Sequence, residues 1–441
     1  MSTDDVKTIE PLSGPLSGSC VVPGDKSISH RAILFSAMAE GASRLSGVLD
    51  SSDVRASIDA VRKLGAEVSL KKQPDGSLSG GVVGWGAKGP KQPDGPIYCA
   101  NSGTTARLLM GILAPWDIEV EITGDESLSR RPMRRITAPL MKMGVSFDPA
   151  GAETLPIVER GTRDLRAISY DSPMASAQLK TAVLLAGVYA NGTTTVNEPS
   201  ISRNHTELML PEFGVETTAS ELSASVNGPA ALKSCEVVVP GDPSSAAFLI
   251  CAALLKKGSA IQIENVSLNT ARTGFFRTLE RMGADIEVHR TGSSGKEPFG
   301  VMSACYSGKL RGCEVPGSKI ASLVDEVPVL ALVAAFARGV TVFRDAGELR
   351  AKETDRLTAV RNGLAQLGVD SWIEGDDLFV EGNPDLEIPD GIVFDSLGDH
   401  RLAMTWSLVG LTGEKPVGIK NFSCVDVSYP DFLKDIERLV R

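Results

Sequence analysis

The sequence predicts an α/β protein of two domains, each built from three copies of one unit of strands and helices. The stretch "VVPGDKSISHRA", which begins at Val21, returns in altered form as "VVPGDPSSAAFL", which begins at Val238. Each stretch is followed by an apolar helix, a glycine, a β-like stretch, an amphipathic helix and a closing "LGA" or "MGA". With 441 residues the chain is long enough for two domains, and internal repetition of this kind indicates a duplicated one.

The same order of elements can be followed from Asn101, Pro173, Pro316 and Gly398. Each unit is predicted as strand, buried helix, strand, amphipathic helix, and strand or hairpin, from its apolar periodicity and its Gly and Pro positions. Pairing the first unit with the fourth places one domain at residues 1–21 and 239–441 and the other at residues 22–238. The N-terminal strand then belongs with repeats four to six. The alternative is an α/β protein with chance matches between its segments.

Composition excludes several classes of protein. A net charge of −10 and a pI near 5.2 disfavour nucleic-acid partners, including an end-processing enzyme of related repeat architecture. Seven cysteines without a C-x-x-C pair suggest neither a disulfide framework nor a zinc knuckle. The N-terminus lacks a secretory or transit pattern, and the longest apolar runs reach about half of a membrane span. We therefore expect a cytoplasmic protein with no membrane or nucleic-acid partner.

Cations are concentrated where the predicted buried helices begin. Unpaired N–H groups and the helix dipole favour an anion at such starts. Taken singly, "NSGTTAR", "PMASAQLK" and "KETDRL" each have an ordinary explanation as a capping turn, a Pro-led helix start or a solvated first turn. No metal-ligand spacing accompanies the four histidines, so we predict neither metal nor cofactor. The cations of these starts and of nearby loops are Lys26, Arg31, Arg107, Lys180, Arg401, Arg131, Arg203, Lys352 and Arg356.

Taken together, the motifs resemble the 5-enolpyruvylshikimate-3-phosphate synthase family over essentially the whole chain. They are "PGDKSISHRA", "NSGTTARLLMG", "RRPM", "PMASAQLK", "PGDPSSAAF", "DEVPVLALVAAFA", "KETDRL" and "DHRLAM", in the family's order. The resemblance implies two domains of three βαβαββ repeats each, an enolpyruvyl transferase-like inside-out α/β barrel with pseudo-threefold symmetry within each domain. It also implies transfer of the carboxyvinyl group of phosphoenolpyruvate to the 5-hydroxyl of shikimate 3-phosphate, by a monomer that closes on its small-molecule substrates.

The resemblance implies a role for individual residues. The first Pro-Gly-Asp turn would bind substrate, whereas the second, at Gly241, would mainly maintain the fold. Shikimate 3-phosphate would contact Lys26, Ser27, Arg31, Ser176, Ala177, Gln178, Arg203, Asp325 and Lys352. Phosphoenolpyruvate would contact Lys26, Asn101, Gly103, Arg131, Gln178, Arg356 and Arg401.

The reaction needs a base for the attacking hydroxyl and an acid for the methylene carbon C3 of phosphoenolpyruvate. The catalytic candidates are Asp325, Glu353 and Lys26. We take Asp325 as the base, because a carboxylate among cations stays ionised. Glu353, together with Lys26, is then placed at C3, although the roles of the two carboxyl groups can be exchanged.

The sequence also departs from the family's commoner pattern. "NSGTTAR", "SAQ", Arg203 and Val427 are similar to a subgroup that includes glyphosate-tolerant bacterial enzymes, while Gly103 is retained and tolerance stays open. One alternative is a UDP-N-acetylglucosamine enolpyruvyl transferase. Members of that family have a reactive Cys where this chain has Glu126, and Asn where it has Ser27. The other is an inactive binding protein or scaffold of the same fold.

Overall fold

The computed structural model describes residues 5–151 and 153–441, which form two compact units. Unit 1 contains the described residues up to Val22 together with Gly241–Gly292 and Pro298–Arg441. Unit 2 contains Pro23–Pro240 and the short segment Ser293–Glu297. Each unit has its own core of buried aliphatic and aromatic side chains.

The segment 293–297 groups with unit 2, although it lies in the half of the chain that otherwise forms unit 1. In unit 2 it lies against the helix that begins at His205. The Nδ1 atom of His205 is 3.3 Å from Oε1 of Glu297, and both side chains are buried. A buried contact between residues so far apart in sequence leaves no local pattern from which it could be predicted.

The strands are short, and most of them have seven residues or fewer. In chain order they are β1 (Val6–Ile9), β2 (Ser17–Val21), β3 (Ala42–Val48), β4 (Glu67–Lys72), β5 (Leu78–Val83), β6 (Ile97–Tyr98), β7 (Glu119–Thr123), β8 (Ser146–Asp148), β9 (Ile157–Arg160), β10 (Ser169–Asp171), β11 (Gly192–Asn197), β12 (Thr217–Ala219), β13 (Ser223–Gly228), β14 (Glu236–Val238), β15 (Ala260–Ser267), β16 (Asp285–Ser294), β17 (Glu297–Cys305), β18 (Glu314–Val315), β19 (Gly339–Phe343), β20 (Ser371–Glu374), β21 (Asp377–Gly382), β22 (Val393–Asp395) and β23 (Val417–Lys420).

The helices alternate with these strands. They are α1 (Lys26–Met38), α2 (Ser52–Lys63), α3 (Gly103–Leu113), α4 (Glu126–Ser129), α5 (Arg134–Met143), α6 (Ala177–Gly187), α7 (His205–Met209), α8 (Pro243–Leu255), α9 (Gly274–Arg281), α10 (Gly317–Ile320), α11 (Val327–Ala335), α12 (Arg356–Gln366), α13 (His400–Thr412) and α14 (Phe432–Arg438). Short 3₁₀ turns occur at Gly86–Lys88, Ala346–Ala351 and Phe422–Val427.

The four-stranded sheets share one plan. In the sheet of order β6-β7-β9-β8, β6 is parallel to β7, and the remaining pairs are antiparallel. The sheets β10-β11-β13-β12 and β18-β19-β21-β20 repeat this plan. Parallel strands need a crossover connection, which α3, α6 and α11 supply in these three sheets. The predicted α/β class is confirmed.

The strands before the two Pro-Gly-Asp turns are exchanged. β2 precedes the first turn, yet it pairs in parallel with β15 of unit 1, Ser17 opposite Ala260. β14 precedes the second turn, yet it pairs in parallel with β3 of unit 2, Glu236 opposite Arg44. At both turns the chain therefore passes from one unit to the other.

The sixth repeat differs from the sequence prediction. The predicted order of elements ends each unit with a strand or hairpin, but the last element of the sixth repeat is α14. The third strand of this sheet is instead β1, which runs antiparallel to β23 with Val6 opposite Lys420. A strand recruited from hundreds of residues away completes the repeat.

The first helix of each repeat is largely buried. Almost every residue of α8, α11 and α13 is buried, as expected for helices that are apolar on all faces. In unit 2, Gly111 lets α3 approach α6, because a Cβ there would lie 2.2 Å from the Ala182 carbonyl oxygen. None of the helices described could span a lipid bilayer.

Candidate active site

The residues proposed from the sequence lie in both units, and each set is described within its own unit. Most of them stand in the first turn of a helix or in the loop before it, where backbone N–H groups are free to bind anions. Unit 2 holds Lys26, Ser27, Arg31, Asn101, Gly103, Arg131, Ser176, Ala177, Gln178 and Arg203, and unit 1 holds Asp325, Lys352, Glu353, Arg356 and Arg401.

The start of α1 presents Lys26 and Ser27. Asp25 caps this helix, since its Oδ1 accepts a hydrogen bond from the Ile28 N–H at 2.8 Å. The Lys26 ammonium donates to Oδ2 of Asp53, 3.1 Å away. Lys26 is thus held at the positive end of α1 by a carboxylate at the start of α2.

Arg31 is buried one turn further along α1. Its Nε donates to the Thr206 hydroxyl at 2.8 Å, its Nη2 to the Thr181 hydroxyl at 2.7 Å and its Nη1 to the Ser27 carbonyl at 3.0 Å. Burial is the main reason that the pKa of Arg31 is lowered to about 10; Glu207 and Asp25 oppose this shift, and nearby Arg203 adds to it. Arg31 and Arg203 are thus close enough to interact electrostatically.

Asn101 and Arg131 hold each other before α3. Arg131 Nη2 donates to Asn101 Oδ1 at 2.6 Å and to the Ser127 hydroxyl at 3.2 Å. Asn101 Nδ2 in turn donates to Asp125 Oδ2 at 2.8 Å. The buried Nε of Arg131 has no hydrogen-bond partner among the described residues. The structure therefore brings two of the predicted phosphoenolpyruvate ligands together.

Gln178 joins the starts of α6 and α3. Its Oε1 accepts from Arg107 Nη1 at 2.8 Å, and its Nε2 donates to the Thr104 hydroxyl at 3.0 Å. A Cβ at Gly103 would lie 2.9 Å from Arg107 Nη1, so glycine leaves this guanidinium its place. Ala177 is the first residue of α6 and follows the N-cap Ser176. Gly103, Ala177 and Gln178 therefore lie in one region of unit 2.

One cation proposed at a helix start is not available to an anion. Lys180 is buried in α6, and its Nζ lies 2.8 Å from Glu198 Oε2 and 2.7 Å from Glu207 Oε1. The sequence analysis grouped Lys180 with the anion-binding cations. The correction is that two buried carboxylates, neither of them near Lys180 in sequence, occupy its ammonium group.

Unit 1 is organised around the buried guanidinium of Arg356. Arg356 Nη1 donates to Asp325 Oδ1 at 3.0 Å, and Nη2 donates to Glu353 Oε2 at 2.6 Å. Asp399 accepts from Nε at 2.7 Å and from Nη2 at 3.2 Å. Burial alone lowers the pKa of Arg356, but the charges of Asp399, Glu353 and Asp325 outweigh it and raise that pKa.

Arg401 begins α13 beside the same carboxylates. Its Nη2 lies 3.7 Å from Asp325 Oδ2, and its Nη1 lies 3.8 Å from Glu326 Oε1. Glu326 also accepts a hydrogen bond from Ser244, in the first turn after the second Pro-Gly-Asp turn. Burial raises the pKa of Glu326, and Arg401 opposes that shift. The second turn thus supports Arg401 indirectly as well as maintaining the fold.

Lys352 is the most exposed of the unit 1 candidates that carry a positive charge. Its Nζ donates to Glu348 Oε1 at 2.6 Å, across one turn of the preceding 3₁₀ segment. A ligand for Lys352 has to compete with this exposed carboxylate, which such ion pairs permit because they contribute little.

The sequence analysis missed the carboxylates that hold the cations in place. Asp53 accepts from Lys26, and Asp399 accepts from Arg356. Asp125 accepts from Asn101, which in turn accepts from Arg131. The available signal was the acidic residue at each helix start, since Asp125 and Asp399 are N-caps. Within the described part of the chain, no group of three or more His, Cys, Asp and Glu side chains is arranged to hold a metal ion.

The fold is that of the enolpyruvyl transferases. Over 99% of this chain and 98% of the other, the structure matches an EPSP synthase from Acinetobacter baumannii at 38% identity, with a TM-score of 0.87. It also matches the enolpyruvyl transferase NikO from Streptomyces tendae with a TM-score of 0.78, and at 19% identity this second likeness concerns the fold alone.

Residues 11–436 match the family model described as EPSP synthase (3-phosphoshikimate 1-carboxyvinyltransferase). Relatives of that name include one from Bacillus pumilus, 41% identical over 97% of this chain and 98% of its own. Another, from Parvibaculum lavamentivorans, is 44% identical over 96% of this chain and 94% of its own. The chain belongs to the EPSP synthase family.

Proposed function

We propose that the protein transfers the carboxyvinyl group of phosphoenolpyruvate to the 5-hydroxyl of shikimate 3-phosphate. The products are 5-enolpyruvylshikimate 3-phosphate and inorganic phosphate, on the route to chorismate and aromatic amino acids. Membership of the family supports this reaction. The observation that carries the assignment of residues is that Asp325 and Glu353 both bind the buried guanidinium of Arg356.

In this proposal unit 2 binds the phosphate of shikimate 3-phosphate. The proximity of Arg31 and Arg203 supports it, because two guanidinium groups suit the binding of a phosphate. Ser176 adds a hydroxyl that accepts from the Leu179 N–H and still has a proton to donate. The further ligands on this unit are Lys26, Ser27, Ala177 and Gln178.

The proposed phosphoenolpyruvate ligands of unit 2 are Asn101, Gly103, Arg131, Lys26 and Gln178. Arginine suits planar carboxylates and phosphates because its N–H groups form paired hydrogen bonds. The buried Nε of Arg131, which has no hydrogen-bond partner among the described residues, supports this role.

Unit 1 contributes Arg356 and Arg401 to phosphoenolpyruvate. Arg356 Nη1 carries two N–H groups and donates to one described acceptor, Asp325. The second N–H of Nη1 can therefore donate to the substrate in this proposal. Among the described residues, the Arg401 side chain has two long contacts with carboxylates, those of Asp325 and Glu326, and their length supports its role as an anion ligand.

Proton transfer is assigned to the two carboxyl groups. The 5-hydroxyl oxygen attacks C2 of phosphoenolpyruvate and gives its proton to Asp325, while C3 takes a proton from Glu353 with Lys26 nearby. Elimination then breaks the C2–O bond to phosphate, C3 returns a proton to Glu353, and the departing phosphate takes the proton held by Asp325. Asp325 and Lys352 also contact the shikimate ring in this assignment.

The test is phosphate release with phosphoenolpyruvate plus either shikimate 3-phosphate or UDP-N-acetylglucosamine. Release with shikimate 3-phosphate alone is the expected result. Release with the sugar nucleotide alone would identify a UDP-N-acetylglucosamine enolpyruvyl transferase instead. Binding of shikimate 3-phosphate without phosphate release in either mixture would indicate an inactive binding protein.

For location and assembly we propose a cytoplasmic monomer. An acidic pI near 5.2 and a net charge of −10 support a freely diffusing enzyme of small molecules. Light scattering coupled to gel filtration measures the mass, for which 46.5 kDa is expected.

A further inference from the structure

The two unit 2 loops that carry proposed phosphate ligands share one buried carboxylate, that of Glu198. Glu198 directly follows β11. Its Oε1 accepts a hydrogen bond from the backbone N–H of Ser176 at 2.9 Å, and its Oε2 accepts from the Ser202 hydroxyl at 2.9 Å. Ser176 is itself a proposed ligand, and Ser202 directly precedes Arg203. One side chain thus fixes both loops.

Lys180 is the counter-ion that this carboxylate shares with a second one. Its Nζ lies between Glu198 and Glu207, 2.8 and 2.7 Å from their oxygens, and all three side chains are buried. A buried charge is costly without a partner, and an unneutralised Glu198 would also repel a phosphate nearby. Glu207 extends the group to α7, whose Thr206 accepts from Arg31. The buried group therefore joins β11, α6 and α7 at the proposed phosphate site.

Glu198 is not suited to bind the phosphate itself. Both groups are anionic, and the two carboxylate oxygens already accept from Ser176, Ser202 and Lys180. Any effect of Glu198 on the substrate must pass through the residues that it holds. Loops that are ordered before binding cost the ligand less binding free energy than loops that it has to order.

We propose that Glu198 is a positioning residue that sets the affinity for shikimate 3-phosphate by holding Ser176 and the segment that carries Arg203. This inference rests on the proposed function, which makes those residues phosphate ligands. It assigns Lys180 to the same group as the counter-ion of Glu198 rather than as a ligand.

The experiment compares Glu198→Gln with the wild type. Gln has nearly the same volume but only one acceptor oxygen, so it cannot serve both loops and Lys180 as before. We expect the KM and the calorimetric Kd for shikimate 3-phosphate to rise about tenfold or more, which corresponds to about 1.4 kcal/mol. The KM for phosphoenolpyruvate and the kcat should change by less than about threefold.

Glu159→Gln is the matched control. Glu159 is another buried carboxyl group of unit 2, and neither of its oxygens has a partner among the described residues. The same substitution there should leave both KM values within about twofold of the wild type. A general loss of stability in Glu198→Gln would reduce the amount of active protein without separating the two substrates.

A change of less than about threefold in the affinity for shikimate 3-phosphate, or an equal rise in both KM values, would overturn the proposal. If Glu198→Gln does not fold, Ser202→Ala removes a single hydrogen bond to Glu198, and it should raise the same Kd about two- to fivefold. An unchanged Kd in Ser202→Ala would then be the contradicting result.

The calorimetric measurement uses shikimate 3-phosphate alone and so separates this inference from the proposed function. Wild-type protein that binds shikimate 3-phosphate but releases no phosphate would overturn the function and leave the comparison of Glu198→Gln with the wild type valid. Wild-type protein that does not bind shikimate 3-phosphate would overturn both.

Discussion

Arg356 and Asp399 form a buried two-point ion pair. The Nε atom of Arg356 donates to Oδ2 at 2.7 Å and Nη2 donates to Oδ1 at 3.2 Å, and both side chains are almost completely inaccessible to water. Such pairs fix a guanidinium in one plane, which here also faces Asp325 and Glu353. The two proposed proton-transfer groups therefore depend on the position of Arg356.

Asp399→Asn is expected to destabilise the protein. The amide keeps an oxygen for the cap of α13 but removes the charge that compensates Arg356, and breaking a buried pair costs about 3–5 kcal/mol. Urea unfolding measures the loss. Asp376→Asn is the control, since Asp376 pairs with Arg350 at the exposed surface, where pairs contribute up to about 1 kcal/mol. Equal losses in the two variants would contradict the role given to Asp399.

Asp325→Asn is expected to lower kcat by about 10² to 10⁴, because general base catalysis contributes that much. The measurement is steady-state phosphate release over a range of pH. Asn retains a group that can accept from Arg356, so a correctly folded variant is expected. Turnover close to that of the wild type, with an unchanged pH dependence, would show that the base assignment is wrong.

Arg131→Ala is expected to raise the KM for phosphoenolpyruvate about tenfold or more, since a charge-assisted hydrogen bond contributes about 1.5–3 kcal/mol. The neighbouring residue supplies the control: Arg130 is exposed and pairs with Glu126, so Arg130→Ala should leave this KM unchanged. Initial rates at saturating shikimate 3-phosphate give both values. An increase below about threefold would place Arg131 outside the site.

Glu159→Gln is expected to gain stability relative to the wild type as the pH rises. Glu159 lies buried on β9, and burial raises its pKa well above 4.5. A carboxyl group with a raised pKa in the folded state contributes stability that is fully present below the unfolded pKa and is lost as the pH rises towards the folded pKa. Between those two values the difference between variant and wild type should grow by about 1.4 kcal/mol per pH unit.

Urea unfolding at several pH values between about 5 and 8 measures this difference. Glu119→Gln, at an exposed position on the neighbouring strand β7, removes a surface ion pair and should differ from the wild type by no more than about 1 kcal/mol at each pH. A difference between Glu159→Gln and the wild type that does not vary with pH would show that Glu159 is not held protonated in the fold.

Local chemistry made much of the fold predictable. The helix starts at Asp25, Ser102, Ser176 and Asp399 could be read from capping residues and the apolar runs that follow, because a cap and its helix are adjacent in sequence. The order of strands and helices within a repeat follows from the same local patterns. The strand exchange at β2 and β14 is a pairing between distant segments. The repetition of the two Pro-Gly-Asp turns was the sequence evidence for it.

The site divides in the same way. Family motifs located the cations, but the partners that decide which cations stay free come from elsewhere in the chain. Arg31 is held by Thr206, and Arg356 by Asp399. Lys180 illustrates the consequence: its place at a helix start suggested an anion ligand, whereas two distant glutamates occupy it. Long-range charge pairing is settled by packing, which periodicity does not encode.

The strand exchange has a consequence for how the chain can be cut and rejoined. The chain leaves unit 1 after Val22 and returns to it at Gly241. These two residues are neighbours, since a Cβ on Gly241 would lie 2.8 Å from Val22 Cγ2. On the unit 2 side, the Asp25 N–H donates to the Pro240 carbonyl at 2.8 Å. Apart from the small segment 293–297, unit 2 is therefore a domain inserted into unit 1 at a single point in the chain. A short linker from Val22 to Gly241 would join the two parts of unit 1 into one continuous polypeptide.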